Sequence, residues 1–251
     1  MQRDPAPSFD LILLSCKAYD LVEAMEAIAP LVGAQTAILP LLNGMRHLEA
    51  LADRFGVERV LGGLCIISAT LGEDGDILHL NELHNLTYGE LDGSRSSRIR
   101  AIELVFSQAG FDAKLSEEIR QEMWEKWVFI ASAAGITCLM RATIGEIVAV
   151  GGARLAADLL DECAAVAAKE GFPPRPAFLE RARSTLTAAG SPLAASMLRD
   201  IESGNRVEGE QILGDLLRRA DPANARALLR IARLHVSAYE ARSDRIPVSA
   251  A

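Results

Sequence analysis

Aromatic side chains are scarce in this sequence, only 5% of the residues. An interior built on large stacked rings is excluded, so aliphatic side chains and alanine must do most of the packing. Cysteine is scarce as well. Cys16, Cys65, Cys138 and Cys163 lie far apart in apolar settings, and no CxxC pair occurs. That argues against a disulfide scaffold or a cysteine-bound zinc, and buried free thiols in a reducing cytoplasm are expected. Histidine offers little more. His79 and His84 are five residues apart, not the four that put two ligands on one helix face, so both read as surface or strand-end residues and no metal site is expected. Positive charge is in deficit: 26 Lys and Arg stand against 34 Asp and Glu, a formal net charge of −8. No general nucleic-acid or anionic-membrane surface is expected from that balance. No uncharged apolar run reaches the roughly 20 residues that span a bilayer. The start, MQRDPAPSFD, is polar and proline-rich and does not read as a secretory signal, so a cytoplasmic location is expected.

Half of the 251 residues are hydrophobic, enough for one large core or two smaller ones. Phe9–Ser15, Thr36–Leu42 and Val60–Ser68 are short apolar runs suited to strands buried on both faces. Helical stretches from about Asp20 to Val32 and from Met45 to Phe55 separate them. This βαβαβ rhythm implies a parallel sheet with helices packed on it and its ligand edge at the strand C-termini. Lys17 and Asn43 both follow strand ends on that edge. Two antiparallel segments, Ile77–Leu80 and Leu86–Leu91, are expected next, around turn signals at 72–75 and 92–93. A helix from about Arg98 to Ala109 and a strand at Phe111–Leu115 complete the first half. Beyond Ser116 strand signals stop. Helices are expected over Glu117–Met140, Gly145–Glu170, Arg175–Ala188, Glu208–Ala220 and from about Asn224 to Tyr239, and the tail from Ala241 is expected to fray. The fold class is therefore α/β with an incomplete parallel sheet over residues 1–116, followed by an all-α part over 117–251.

Within the helical part Lys126 stands out. The turn before it, Ser116–Lys126, is charged, whereas Trp127–Met140 carries no charge at all. An ammonium at such a boundary either buries its stem and keeps its head in water, or is partly desolvated and becomes a proton donor or acceptor near neutral pH. The residues alone leave both readings open.

Five segments, in order, resemble the ketopantoate reductase (2-dehydropantoate 2-reductase) family. They are Leu13–Asp20 with Lys17, Pro40–Met45 with Asn43-Gly44, Trp124-Glu125-Lys126 followed by Thr137 and Gly145-Glu146, Ser196–Ile201, and Glu208 followed by Ile212-Leu213-Gly214. The resemblance implies a dinucleotide-binding domain joined to a helical domain, with the active site between them. It implies NADPH-dependent reduction of a small-molecule 2-oxo acid. Lys126 would be the general acid, Asn43 would serve both nicotinamide and substrate, Lys17 would contact the cofactor, Ser196 would bind the substrate carboxylate and Glu208 a substrate hydroxyl. A homodimer through the apolar helix around Ala153–Ala168 is an open expectation.

Two departures from the family pattern stand out. No GxGxxG loop for the cofactor pyrophosphate occurs in the sequence. The chain opens just before what resembles the family's fourth strand, so about 70 residues would precede it in the family's arrangement of two βα units and a strand. Either a start assigned too far downstream or a truncation is expected, with weak or absent NADPH binding in the second case. The other departure is on the helix of Lys126. The family's asparagines four and eight residues on are replaced by Ile130 and Ala134, which share the lysine's face. A less polar substrate than ketopantoate is expected there. The competing class is a non-catalytic helical binding protein that keeps the family core; a related dehydrogenase for another hydroxy acid is a third.

Overall fold

The computed structural model of the protein describes residues 9–72, 74–221 and 227–243. Cα packing divides the chain into two compact units between Met123 and Trp124.

The first unit holds a two-stranded parallel sheet and a three-stranded mixed sheet, with helices. Strands β1 (Leu11–Leu14) and β2 (Ala37–Pro40) pair in parallel, Leu11 opposite Ala37 and Leu14 opposite Pro40. All four residues of β2 are buried, as expected for a strand covered on both faces. The connection between them was expected as one helix over 20–32. It is instead a 3-10 turn at Ala18–Asp20, helix α1 (Leu21–Ile28) and a second 3-10 turn at Ala29–Leu31. Pro30 lacks the N–H that a continued α-helix would need. Helix α2 (Arg46–Phe55) follows β2. A parallel bridge from Ile38 to Val60 links β2 to the start of β3 (Leu61–Leu71).

Strand β4 (Ile77–Glu90) runs antiparallel to β3 and parallel to β5 (Asp112–Leu115). Two separate segments were expected where one strand is found. The polar residues between them are absorbed by a shift of register: Ile67 faces His84, but Ala69 already faces His79. A bulge thus replaces a break. The β3–β4 arm exposes Ile66, Ile67, Ile77, Leu78, Leu80 and Leu83. It carries no lysine or arginine, and none occurs from Val60 to Ser94. The core below it joins Leu39, Leu61, Leu86 and Tyr88 to Ile99, Ile102 and Phe106 of helix α3 (Ser97–Phe106). Tyr88 and Phe106 meet edge to face at 5.0 Å, a geometry favoured by the ring quadrupoles.

Helix α4 (Ile119–Met140) leads from the first unit into the second. From Ala131 to Cys138 every residue is buried. A helix apolar on all sides belongs inside a bundle. Around it stand α5 (Ile144–Ala149), α6 (Ala153–Lys169), α7 (Pro176–Leu186), α8 (Ser196–Glu202), a π turn at Glu210–Gly214 continued by α9 (Asp215–Arg219), and α10 (Ala227–Ser243). The single helix expected over 145–170 is broken because Gly151 takes φ 88°, in the left-handed region open to glycine. The expected helix start at Asn224, the turn residue Glu73 and the tail beyond Ser243 lie outside the described residues. Residues Ala241 to Ser243 continue α10.

Two of the four thiols, Cys138 and Cys163, are buried; Cys16, two residues beyond β1, and Cys65, within β3, are only half-buried, against expectation. Burial pushes the Cys138 thiol up to about 12, which leaves it protonated and inert.

Candidate active site

Lys17 and Asn43 occupy equivalent places in the first unit. Each follows the C-terminal end of one of the two paired parallel strands. Lys17 is exposed, and its carbonyl accepts the Asp20 amide at 3.0 Å, closing the turn into α1. Asn43 is half-buried, and Gly44 beside it adopts φ 82°. That left-handed residue turns the chain from β2 into α2 and fixes the direction of the asparagine.

The other three candidates belong to the second unit. Lys126 is half-buried near the middle of α4, between buried Glu125 and buried Trp127. Ile130 is half-buried one turn on, and Ala134 is buried two turns on. Ser132 and Thr137 bond their own helix, donating to the carbonyls of Val128 at 2.7 Å and Ala133 at 2.6 Å. The lysine's face is therefore continued by hydrocarbon.

Ser196 is exposed at the first position of α8, and the cap is Ala195, not the serine. The segment before it is held from two sides. The Ala195 amide donates to Thr137 Oγ1 at 3.4 Å. The amides of Ile144 and Gly145 donate to the carbonyls of Leu193 at 2.9 Å and Ser191 at 2.8 Å. Those are free N–H groups of a helix start put to use. Gly145 is required here, since a Cβ would lie 2.5 Å from the Ser191 nitrogen. Thr143 and Glu146 close a capping box over the same turn. Thr137 and Gly145, noted in the sequence beside Lys126, thus bond the serine segment, and Glu146 caps the helix start that supplies the donors.

Glu208 is half-buried and lies two residues before the start of the π turn. Its carbonyl accepts the Ile212 amide at 2.9 Å. The Ile212 carbonyl in turn accepts the indole N–H of Trp127 at 3.0 Å. The segments of Ser196 and Glu208 are therefore each hydrogen-bonded to the helix that bears Lys126.

Two supports escaped the sequence reading. Glu125 is buried and accepts three bonds from Arg175: the backbone amide at 2.8 Å, Nε at 2.8 Å and a guanidinium nitrogen at 2.6 Å. This fixes the start of α7 against the turn that carries Lys126. The arginine before the helix-opening Pro176 was the available signal. Trp127 is the other support, visible in the sequence only as one more apolar residue. A cavity of about 350 Å³ in the first unit, lined by Val57, Glu58, Glu90, Asp92 and Arg98, opens where β3 begins, away from the strand ends of Lys17 and Asn43. Among the described residues no group of His, Cys, Asp and Glu could hold a metal ion, and no helix is long and apolar enough to cross a membrane.

Comparison with known proteins agrees with this architecture. The family model for ketopantoate reductase PanE/ApbA matches residues 2–93, and that for its C-terminal part matches residues 118–229. An uncharacterized oxidoreductase of Bacillus subtilis, YkpB, is 39% identical over 84% of this chain and 70% of its own length. The 2-dehydropantoate 2-reductase of Archaeoglobus fulgidus is 30% identical over 84% of this chain and 70% of its own. The crystal structure of the 2-dehydropantoate 2-reductase from Methylococcus capsulatus superposes with a TM-score of 0.84, at 25% identity, over 96% of this chain and 77% of that one. With both halves matched in order, this chain belongs to the ketopantoate reductase family of oxidoreductases.

Proposed function

We propose that the protein reduces a 2-oxo acid to the corresponding 2-hydroxy acid, with NADPH as the reductant. One observation carries this reading: the helix of Lys126 is hydrogen-bonded, through Thr137 and Trp127, to the segments of both Ser196 and Glu208. Reduction of a carbonyl leaves negative charge on oxygen. The Lys126 ammonium stabilises that charge and then gives up a proton to it. Ser196 donates to the substrate carboxylate, and Glu208 accepts from a substrate hydroxyl. NADPH, when bound, supplies the hydride. Lys17 and Asn43, at the C-terminal ends of parallel strands, fit the nicotinamide end of such a cofactor. The sequence offers no GxGxxG turn for its pyrophosphate, and no step here depends on one.

The run of Ile130 and Ala134 beyond Lys126 favours a 2-oxo acid with hydrocarbon on that side, since no side-chain hydroxyl there is left to meet a polar group. Lys126→Ala is the decisive test. Turnover of a 2-oxo acid with NADPH should fall by about two orders of magnitude or more in kcat, as for a removed general acid. A variant within about tenfold of the parent would end the reading. A binding protein that merely keeps the family fold would show no turnover to lose.

A further inference from the structure

The segment from Glu208 to Arg219 is not a regular α-helix. Glu210–Gly214 forms a π turn, and only then does α9 begin. A π turn accommodates one residue more than the α ladder allows and is found mostly at functional sites. Here it is met by a side chain. The indole N–H of Trp127 bonds the Ile212 carbonyl inside the turn, with both residues buried.

The ring itself is a fixed post. It lies 4.9 Å from the ring of Trp124, and the Arg219 guanidinium sits 5.8 Å from its centre. Arg219 is in turn bonded to Asp215 at 3.2 Å and Glu170 at 3.1 Å. Trp127 directly follows Lys126, and the Ile212 amide donates a hydrogen bond to the Glu208 carbonyl. Three consecutive links therefore join the two substrate-facing candidates.

We propose that Trp127 is a positioning residue whose indole N–H keeps the π turn in register and so sets where Glu208 stands with respect to Lys126. The proposal rests on the functional reading of those two residues given above. Without the donor, the Ile212 carbonyl loses a buried partner. Closing the turn into α geometry would rotate what precedes it by about 100°, and Glu208 is what precedes it. Ser196 hangs from Thr137 and α5 and should stay.

Trp127→Phe keeps a ring and removes the donor. Backbone amides over 208–214 are expected to exchange at least about tenfold faster, and those over 196–202 at the parent rate, since only the first segment loses its tie. KM for the 2-oxo acid should rise about tenfold with kcat little changed, the signature of lost uniform binding. Glu208→Gln should then add little in the Trp127→Phe background, whereas Ser196→Ala should keep its full effect in both backgrounds. Unchanged exchange over 208–214, or a Glu208→Gln effect equal in both backgrounds, overturns the proposal and leaves the functional reading standing. A parent chain that reduces no 2-oxo acid overturns both. Should Trp127→Phe fail to fold, the parent protein suffices: the indole proton and the amides of 212–214 should share one opening rate, and independent rates overturn the link.

Discussion

In the first unit Lys17 and Asn43 are placed by backbone: two paired parallel strands end side by side, and a left-handed glycine turns the chain into the next helix. In the second unit Lys126, Ser196 and Glu208 are placed by buried polar side chains reaching across the bundle, Glu125 to Arg175, Thr137 to Ala195 and Trp127 to Ile212. A sheet edge is specified by every residue of its strands and tolerates most side-chain changes. A bundle of aliphatic helices has no ladder between its members. Its register needs a few directional bonds, and each is a point of failure.

This contrast can be tested by substitution. The largest effect is expected from Arg175→Met, which leaves the buried Glu125 carboxylate without its two guanidinium bonds. A loss of about 3 kcal/mol in urea unfolding is expected, and the double change Glu125→Leu with Arg175→Met should recover much of it. Equal losses in the single and double variants would mean that the pair is not the register device assigned to it. In the first unit, only a change aimed at the backbone should matter as much. Gly44→Ala must hold φ 82° with a Cβ and should cost about 1–2 kcal/mol, together with a displaced Asn43 and weaker cofactor binding in a fluorescence titration. Substitutions of the exposed α2 residues beside it should cost under about 0.5 kcal/mol.

The smallest effect concerns the polar cluster at the end of β4 and the start of α3. Burial raises the Glu90 carboxyl, but bonds from Arg98 and Ser96 outweigh it and hold the group below its ordinary 4.5. A depressed carboxyl contributes stability above its unfolded value and loses it as pH falls through the folded one. Stability should therefore drop below about pH 4.5 with a component that Glu90→Gln abolishes. An unchanged acid limb in that variant would assign the acid sensitivity elsewhere.

The same contrast explains what the sequence disclosed. Strand β2 and the Asn43-Gly44 turn were legible because burial on both faces and a glycine turn leave local signatures. Lys126 was legible from a charge boundary. The π turn was read as plain helix, because what maintains it is an indole 85 residues away in the chain. No helix was expected over 196–202, since the bonds that hold the start of α8 come from Thr137 and α5 rather than from neighbours. The unbroken β4 escaped for a related reason: a partner strand can carry polar Asn81 and Glu82 through a bulge that no local rule anticipates.

The β3–β4 arm has a practical consequence. With no lysine or arginine from Val60 to Ser94, trypsin has nothing to cut there, and its nearest sites, Arg59 and Arg95, stand at the base. A tryptic digest would return the whole projection as one long peptide and score it as resistant however often it opens. Proteases that cut after leucine would find Leu78, Leu80 and Leu83 in the open and give a truer account of how firmly it is held.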